Sequence, residues 1–345
     1  MAYDPQIVRT KFIPPLPRKR LLIRPRLAEL LKGVVSHKVT ILQAGPGYGK
    51  STVLAVHLSG ANIPSFWYCV NGADTDPLVF ITHLIWSLRS AYPTMGSRAL
   101  SLLEEDYSPS ARRQAVDLLG NDLIDQIVED FAIVIDDYHA VAKSPEVNEI
   151  VENLINAMPP QVHVILSTRE RPSLGSLARW RVRGEALEIT ERDLAFTVPE
   201  IRSLFSGPYQ HELTSEQVKA VLERTEGWII ALEMIWHALR EGLSLQELFT
   251  RTPSSLESVF DYLAQEVLGK QEQYVTDFLL DVSALSELDP DVCGRVSGRD
   301  DSEAILARLS AAGLFVYYTD AGAGTFRFHN LLRTFLRRHQ YSTQI

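Results

Sequence analysis

Cysteine is nearly absent. Cys69 and Cys293 are the only two in 345 residues, and they lie far apart in sequence, Cys69 within an apolar run of strand character. Neither a disulfide framework nor a cysteine zinc site is expected, and a reducing cytoplasm fits. No uncharged apolar run reaches the ~18 residues that a membrane span needs. Trp228 to Leu239 comes nearest, but it is short and carries Glu233 and His237, so it reads as a packed amphipathic helix. The opening Met-Ala-Tyr-Asp-Pro has neither the cationic nor the apolar region of a signal peptide. A basic excess is missing as well: the net charge is −9, which argues against a general polyanion binder, because counterion release needs clustered cations. There are two local exceptions. Seven Lys or Arg and no acid stand between Arg9 and Arg26, and Arg327, Arg333, Arg337 and Arg338 follow near the end. Either run could meet phosphate, from nucleotide or nucleic acid, or simply form a solvated face. Neither fixed-period repeats nor low-complexity tracts occur.

What is there is ordinary in bulk and specific in one place. Apolar residues make up 46% and charged residues 22%, and the length suits about two or three domains. Residues 44 to 52 read Ala-Gly-Pro-Gly-Tyr-Gly-Lys-Ser-Thr, directly after the strand-like run Val39 to Gln43. This is the pattern of a phosphate-binding loop. Gly45, Gly47 and Gly49, with Tyr48 between them, let backbone N–H groups turn inward around a phosphate; Lys50 supplies a mobile positive charge, and the Ser51 hydroxyl, next to Thr52, can complete a Mg²⁺ shell. Ala44 replaces the usual first glycine, a departure at the strand end rather than in the cradle.

The first twenty-five residues contain Pro5, Pro14, Pro15, Pro17 and Pro25, and predict an extended arm before a helix from Arg26 to Leu31. Four more apolar runs predict strands: Ser65–Val70, Phe131–Ile135, Val162–Ser167 and Ala186–Ile189. Their alternation with helical stretches predicts a parallel sheet covered on both faces, with ligand at the carboxyl ends of the strands. From Thr197 the strand signals stop. Thr197 with Glu200 and Thr214 with Gln217 are capping boxes that start two helices, and apolar positions at helical spacing continue to about residue 285, broken near Gly242 and Thr252-Pro253. After Asp289-Pro290 come short helices, then Leu314–Thr319 and Thr325–His329 around a turn holding Gly322 and Gly324, the pattern of a winged helix.

Two further strand ends carry chemistry. Phe131 to Asp137 delivers two carboxylates: Asp136 is placed to hold Mg²⁺, directly or through water, and Asp137 to polarise water attacking a γ-phosphate. Adjacent acids after a strand also occur in plain turns; the phosphate loop upstream favours the functional reading. Arg169, after Val162 to Thr168, would emerge on the same sheet edge and could sense the γ-phosphate, or pair with a surface acid.

The chain resembles the N-terminal portion of the MalT-like ATP-dependent transcriptional regulators, large LuxR-class members of the STAND family of P-loop NTPases. Besides the loop, the resemblance rests on Phe66-Trp-Tyr68 with Asp74 and Phe80, Ile135-Asp-Asp-Tyr-His139, Leu194-Ala-Phe-Thr197, Gly227-Trp228 with Ala231-Leu232, and Asp261-Tyr262 with Glu266-Val-Leu268. It implies an α/β P-loop NTPase domain at 1–200 with the basic arm, a small helical domain at 201–268 and a winged-helix domain at 269–345. It also implies a slow ATPase switch that rests with ADP bound and is opened by ATP and inducer to self-associate. Lys50 and Ser51 match the loop, Asp136 and Asp137 the Mg²⁺ and catalytic acids, and Arg169 the sensor. Gly227-Trp228 stands where many relatives carry a Gly-x-Pro motif that covers the nucleotide; the missing proline is typical of the MalT-like branch. His329 matches a histidine that reaches the β-phosphate, although a histidine between apolar residues also reads as a satisfied core group.

Arg24 and Arg26 are expected near the base or phosphates. Inducer and DNA are expected to be met through domains absent from this chain, which ends at Ile345 and so reads as a piece of a longer protein; no membrane partner is expected. The competing readings are a conventional P-loop ATPase with rapid turnover, such as a motor or kinase, a DNA binder through residues 290 to 345, and a structural module with a dead nucleotide site.

Overall fold

The five apolar runs become five parallel strands: β1 Val39–Gln43, β2 Ser65–Cys69, β3 Phe131–Asp136, β4 Val162–Thr168 and β5 Ala186–Thr190, in the order β2-β3-β4-β1-β5. β3 and β4 are buried along their whole length, as a sheet covered on both faces requires. The computed structural model describes residues 7–15, 20–250, 268–269, 271–285, 287–312, 314–319 and 324–343. By its internal contacts the chain divides into two compact units. The first takes its described residues from Met1–Arg18, Arg24–Ala44 and Lys50–Asp193, the second from Lys19–Ile23, Gly45–Gly49 and Leu194–Ile345. The turn of the phosphate loop is thus grouped with the second unit, and its Lys50 with the first.

The first unit holds helices α1 Pro25–Leu31, α2 Lys50–Gly60, α3 Pro77–Leu88, α4 Ser97–Glu105, α5 Pro109–Gln126, α6 Pro145–Ala157 and α7 Leu177–Val182. Asp76, Ser108 and Ser144 each cap a helix whose first residue is proline, so the start of α3, α5 and α6 is written in the chain. The core follows the period of two: Val39 and Ile41, Phe66 and Tyr68, Ile133 and Ile135, Val164 and Leu166 share one face with Phe80, Leu84, Leu119 and Leu154 from the helices.

After the single-turn α8 Glu191–Leu194, the second unit continues with α9 Val198–Ser206, α10 Ser215–Thr225, α11 Ile229–Arg240 and α12 Leu245–Thr250. Thr197 N donates to Glu200 at the head of α9, and Thr214 and Gln217 bond reciprocally at the head of α10, as the capping boxes predict. Trp236 stacks on Tyr209 at 4.6 Å and donates its Nε1–H to the Tyr209 carbonyl, anchoring α11 in this helical core. Helices α13 Gln273–Asp281, α14 Pro290–Ser297, α15 Ser302–Ala311 and α16 Asn330–Thr343 follow, with an antiparallel hairpin of β6 Val316–Tyr318 and β7 Phe326–Phe328 ahead of α16. This is the expected winged helix. The expected break at Thr252-Pro253, the segments around Asp261 and Glu266, and Gly322 in the hairpin turn lie outside the described residues.

The arm departs from expectation. Arg9–Phe12 forms a 3-10 turn rather than extended chain, and α1 starts at Pro25, one residue early. Proline suits the first turn of a helix, where its missing N–H costs nothing. The turn at Arg9–Phe12 is held because Phe12 packs 6.2 Å edge-on to Tyr68, while Lys11 Nζ reaches both carboxylate oxygens of Asp74 at 2.6 Å. Asp74 has no exposed side-chain surface and also accepts from Asn71 N, so removing Lys11 strands a buried charge. Lys11→Ala is expected to lower unfolding free energy in urea by about 3 kcal/mol, with Lys11→Arg recovering most of it.

Candidate functional site

In the first unit the chemistry gathers at the carboxyl ends of β1, β3 and β4. α2 begins at Lys50, so Lys50, Ser51 and Thr52 form a first turn whose amides have no helical acceptor, the usual seat for an anion. Lys50 is only 7% exposed, and its Nζ donates to the Ala44 carbonyl at 2.8 Å. Burial, with Arg169 assisting, lowers its pKa to about 8, against the pull of Asp137, Asp136 and Glu191. One guanidinium and three carboxylates therefore lie within electrostatic reach of the Lys50 amine. Asp136 closes β3 almost fully buried and accepts from Asp137 N at 3.0 Å. Asp137 is exposed, adopts a left-handed backbone with φ 56° and ψ 33°, and has His139 Nδ1 3.8 Å from its carboxylate. Burial, and then Asp136 and Asp137, push the Cys69 thiol up to about 11, so Cys69 is inert at neutral pH. Arg24 is buried at the head of α1, where its carbonyl accepts from Ala28 N at 3.0 Å, and Arg26 Nη2 donates to the Asp193 carbonyl at 2.8 Å.

In the second unit the loop turn is gripped at two points. Trp228 is fully buried, and its Nε1–H donates to the Pro46 carbonyl at 3.1 Å. Gly47 has φ +76°, and a Cβ there would stand 2.2 Å from Ile230 Cδ1 and 2.9 Å from Trp228 Nε1, so only glycine fits. Tyr48 is buried, with its hydroxyl 3.2 Å from that of Tyr317. The Arg327 guanidinium lies 4.9 Å over the Tyr317 ring and forks onto Glu226, Nη1 to Oε1 at 3.0 Å and Nη2 to Oε2 at 2.8 Å. α10 ends in two left-handed residues, Glu226 and Gly227; a Cβ on Gly227 would be 2.5 Å from the Phe196 carbonyl, and Phe196 N donates to Gly227 O at 2.9 Å. The Leu194-Ala-Phe-Thr197 and Gly227-Trp228 motifs are therefore two sides of one contact.

His329 takes the second of its two expected readings. It has no exposed surface; its Nε2–H donates to the Thr225 carbonyl at 3.1 Å and its Nδ1 accepts from Leu331 N at 3.1 Å. Both nitrogens are spent on protein, so in this conformation it is the satisfied core histidine, ringed by Phe315, Trp228 and Tyr317 at 5.5, 6.0 and 6.2 Å. Of the C-terminal basic run, Arg337 donates to the Ser283 and Ala284 carbonyls and Arg327 to Glu226, so structural partners take up these two. Sequence reading missed Ile230, Tyr317, Glu226 and the role of Arg327. Each meets its partner across more than a hundred residues, and the left-handed ending of α10 at Glu226 was signalled only by the glycine that follows it.

A five-stranded parallel sheet, a glycine-rich loop after β1, paired acids at the end of β3 and a winged helix define the fold of a P-loop NTPase followed by a winged-helix domain. A solved Walker-type ATPase of Pyrococcus abyssi is similar in fold, with a TM-score of 0.62 at 16% identity over 94% of this chain and 98% of that one. Residues 264–344 match the family model of the MalT winged helix domain. The chain is 28% identical over 324 residues to the HTH-type transcriptional regulator MalT of Vibrio campbellii, covering 91% of this chain and 35% of that protein. It is 29% identical over 336 residues to MalT of Serratia proteamaculans, covering 96% and 36%. The MalT-like character read from the motifs thus holds, and the chain spans about a third of the length of the curated relatives it matches.

Burial drives the His329 pKa from its ordinary 6.5 to about 4, against the nearby Glu226 charge. A depressed folded-state pKa favours the native state above the unfolded value, and that stability is lost as pH falls through the folded one. The unfolding free energy is expected to drop by on the order of 2 kcal/mol between about pH 7 and pH 5 from this residue alone. Urea titrations of the protein and of His329→Gln at both values test this, the variant losing that part of the slope.

Proposed function

We propose that this chain is the nucleotide-gated switch of a signal-responsive transcriptional regulator: it binds ATP or ADP with Mg²⁺, hydrolyses ATP slowly, and rests with ADP bound. The observation that carries the reading is Lys50, almost fully buried at the end of a glycine-rich turn, in reach of Arg169, Asp136 and Asp137. The amides of residues 45 to 52 and Lys50 would hold the phosphates. Among the described residues no cluster of three His, Cys, Asp or Glu could hold a metal alone. Ser51 and Asp136 suit a Mg²⁺ that arrives on the phosphates and keeps part of its water shell. Asp137, exposed beside buried Asp136, would orient the attacking water, and Arg169 would report the γ-phosphate.

The relatives named above are HTH-type transcriptional regulators, and this supports the regulatory setting in the cytoplasm; in this reading inducer and DNA are met through domains absent from this chain, and activation leads to self-association. The parts that would move are residues 1–200, 201–268 and 269–345. His329 would then act through Thr225 and the aromatic cluster around Trp228 rather than on phosphate directly in this state. No described helix is long and apolar enough to cross a membrane.

Chromatography of whatever the denatured protein releases decides between switch and enzyme. Near-stoichiometric ADP supports the switch; an empty site with fast steady-state hydrolysis supports the conventional ATPase. Lys50→Ala is expected to weaken nucleotide binding roughly 30-fold or more. Asp137→Asn is expected to slow hydrolysis ~10²–10⁴-fold while calorimetric ATP affinity stays within about threefold. A parallel loss of affinity would remove Asp137 from the chemistry.

A further inference from the structure

We infer that the Glu226–Arg327 ion pair is the positioning element of the phosphate-loop turn, joining two separate grips on residues 46 to 48 so that they close and open together. The first grip is the Trp228 indole on the Pro46 carbonyl, backed by Ile230 against Gly47. The second is the Tyr317 hydroxyl on the Tyr48 hydroxyl. They come from stretches of chain about ninety residues apart, and one side-chain pair ties them. Glu226 stands two residues before Trp228, and Arg327 lies over the ring of Tyr317, one rung across the hairpin, where Tyr317 pairs with Arg327. The contacts close a ring: Pro46, Trp228, Glu226, Arg327, Tyr317 and Tyr48.

The pair is built to hold position. Both Arg327 nitrogens bond separate Glu226 oxygens, a fork that fixes orientation as well as distance. Glu226 Oε1 also accepts from Asn330 N at 2.9 Å, and Asn330 Nδ2 donates to the Glu223 carbonyl at 2.8 Å, so the start of α16 is pinned to the end of α10. The Glu226 side chain is 20% exposed and that of Arg327 44%, so the fork works in a partly dry setting where it exceeds an ordinary surface pair. The left-handed backbone at Glu226 and Gly227 sets the directions of both Glu226 and Trp228. Losing the fork frees Arg327 from its seat over Tyr317 and leaves the Glu226 carboxylate held by Asn330 N alone.

Hydrogen exchange of the whole chain, read by mass spectrometry without added nucleotide, tests this. Peptides covering residues 45 to 49 are expected to exchange about tenfold faster in Arg327→Gln and in Glu226→Gln, and no faster again in the double variant, because either change opens the one ring. Unchanged exchange in both single variants, or a double effect equal to the product of the singles, overturns the proposal. Peptides over residues 316–318 and 326–328 report whether the hairpin itself has melted. Should it melt, Arg327→Lys keeps the charge without the fork, and loop exchange at the wild-type rate with an intact hairpin overturns the proposal equally. The consequence for nucleotide rests on the proposed function: ADP should leave the single variants faster by the same factor. If the wild-type chain binds no nucleotide, that reading fails while exchange still decides the positioning role.

Discussion

A tryptophan with no surface must find an acceptor for its indole N–H, and Trp228 finds the carbonyl of Pro46. Leaving such a donor unpaired costs about 1–3 kcal/mol, so the hydrogen bond constrains much around it. Gly227 must be glycine for the chain to turn left-handed against Phe196, which fixes where α11 begins. Phe315 meets the Trp228 ring edge-on at 5.0 Å and its carbonyl accepts from His329 N, so the start of the hairpin is fitted to the same indole. Within the second unit the end of α10, the start of the hairpin and the turn at residues 45–49 are all fitted to this one buried ring.

The first unit is governed by a different constraint, the placing of charge in a dry edge of sheet. Parallel strands bring their carboxyl ends to one side, and β1, β3 and β4 finish in a lysine-bearing turn, two acids and an arginine. A buried amine is tolerable only beside opposite charge, and Asp137, Asp136 and Glu191 supply it. Burial raises the Cys69 thiol, and Asp136 and Asp137 add to that shift.

The sheet was legible because strands buried on both faces read as unbroken apolar runs, and all five fall within a residue or so of expectation. Helix starts were legible where capping side chains announce them, at Thr197 and Thr214. The phosphate loop, Asp136, Asp137 and Arg169 were legible because their spacing is tied to strand ends. What sequence did not carry was pairing at a distance. Tyr48 and Tyr317 meet across 269 positions and Glu226 and Arg327 across 101, and no periodicity links them. His329 shows the limit from the other side: its motif was visible, but whether its nitrogens face a ligand or the protein depended on Thr225 and Leu331. The arm misled because its prolines spoke louder than Lys11 and Phe12, whose partners sit sixty residues on.

The left-handed backbone at Asp137 has a consequence for how this site could change over time. That conformation is cheap for glycine and tolerated by aspartate and asparagine, whose short polar side chains bond locally, and dearer for longer residues. Glutamate, the obvious chemical substitute for the acid proposed to orient water, would have to bear backbone strain as well as a longer reach. The second acid is thereby confined to aspartate by the turn that carries it, so drift at this position runs toward asparagine, which fits the backbone and lacks the charge, rather than toward another acid.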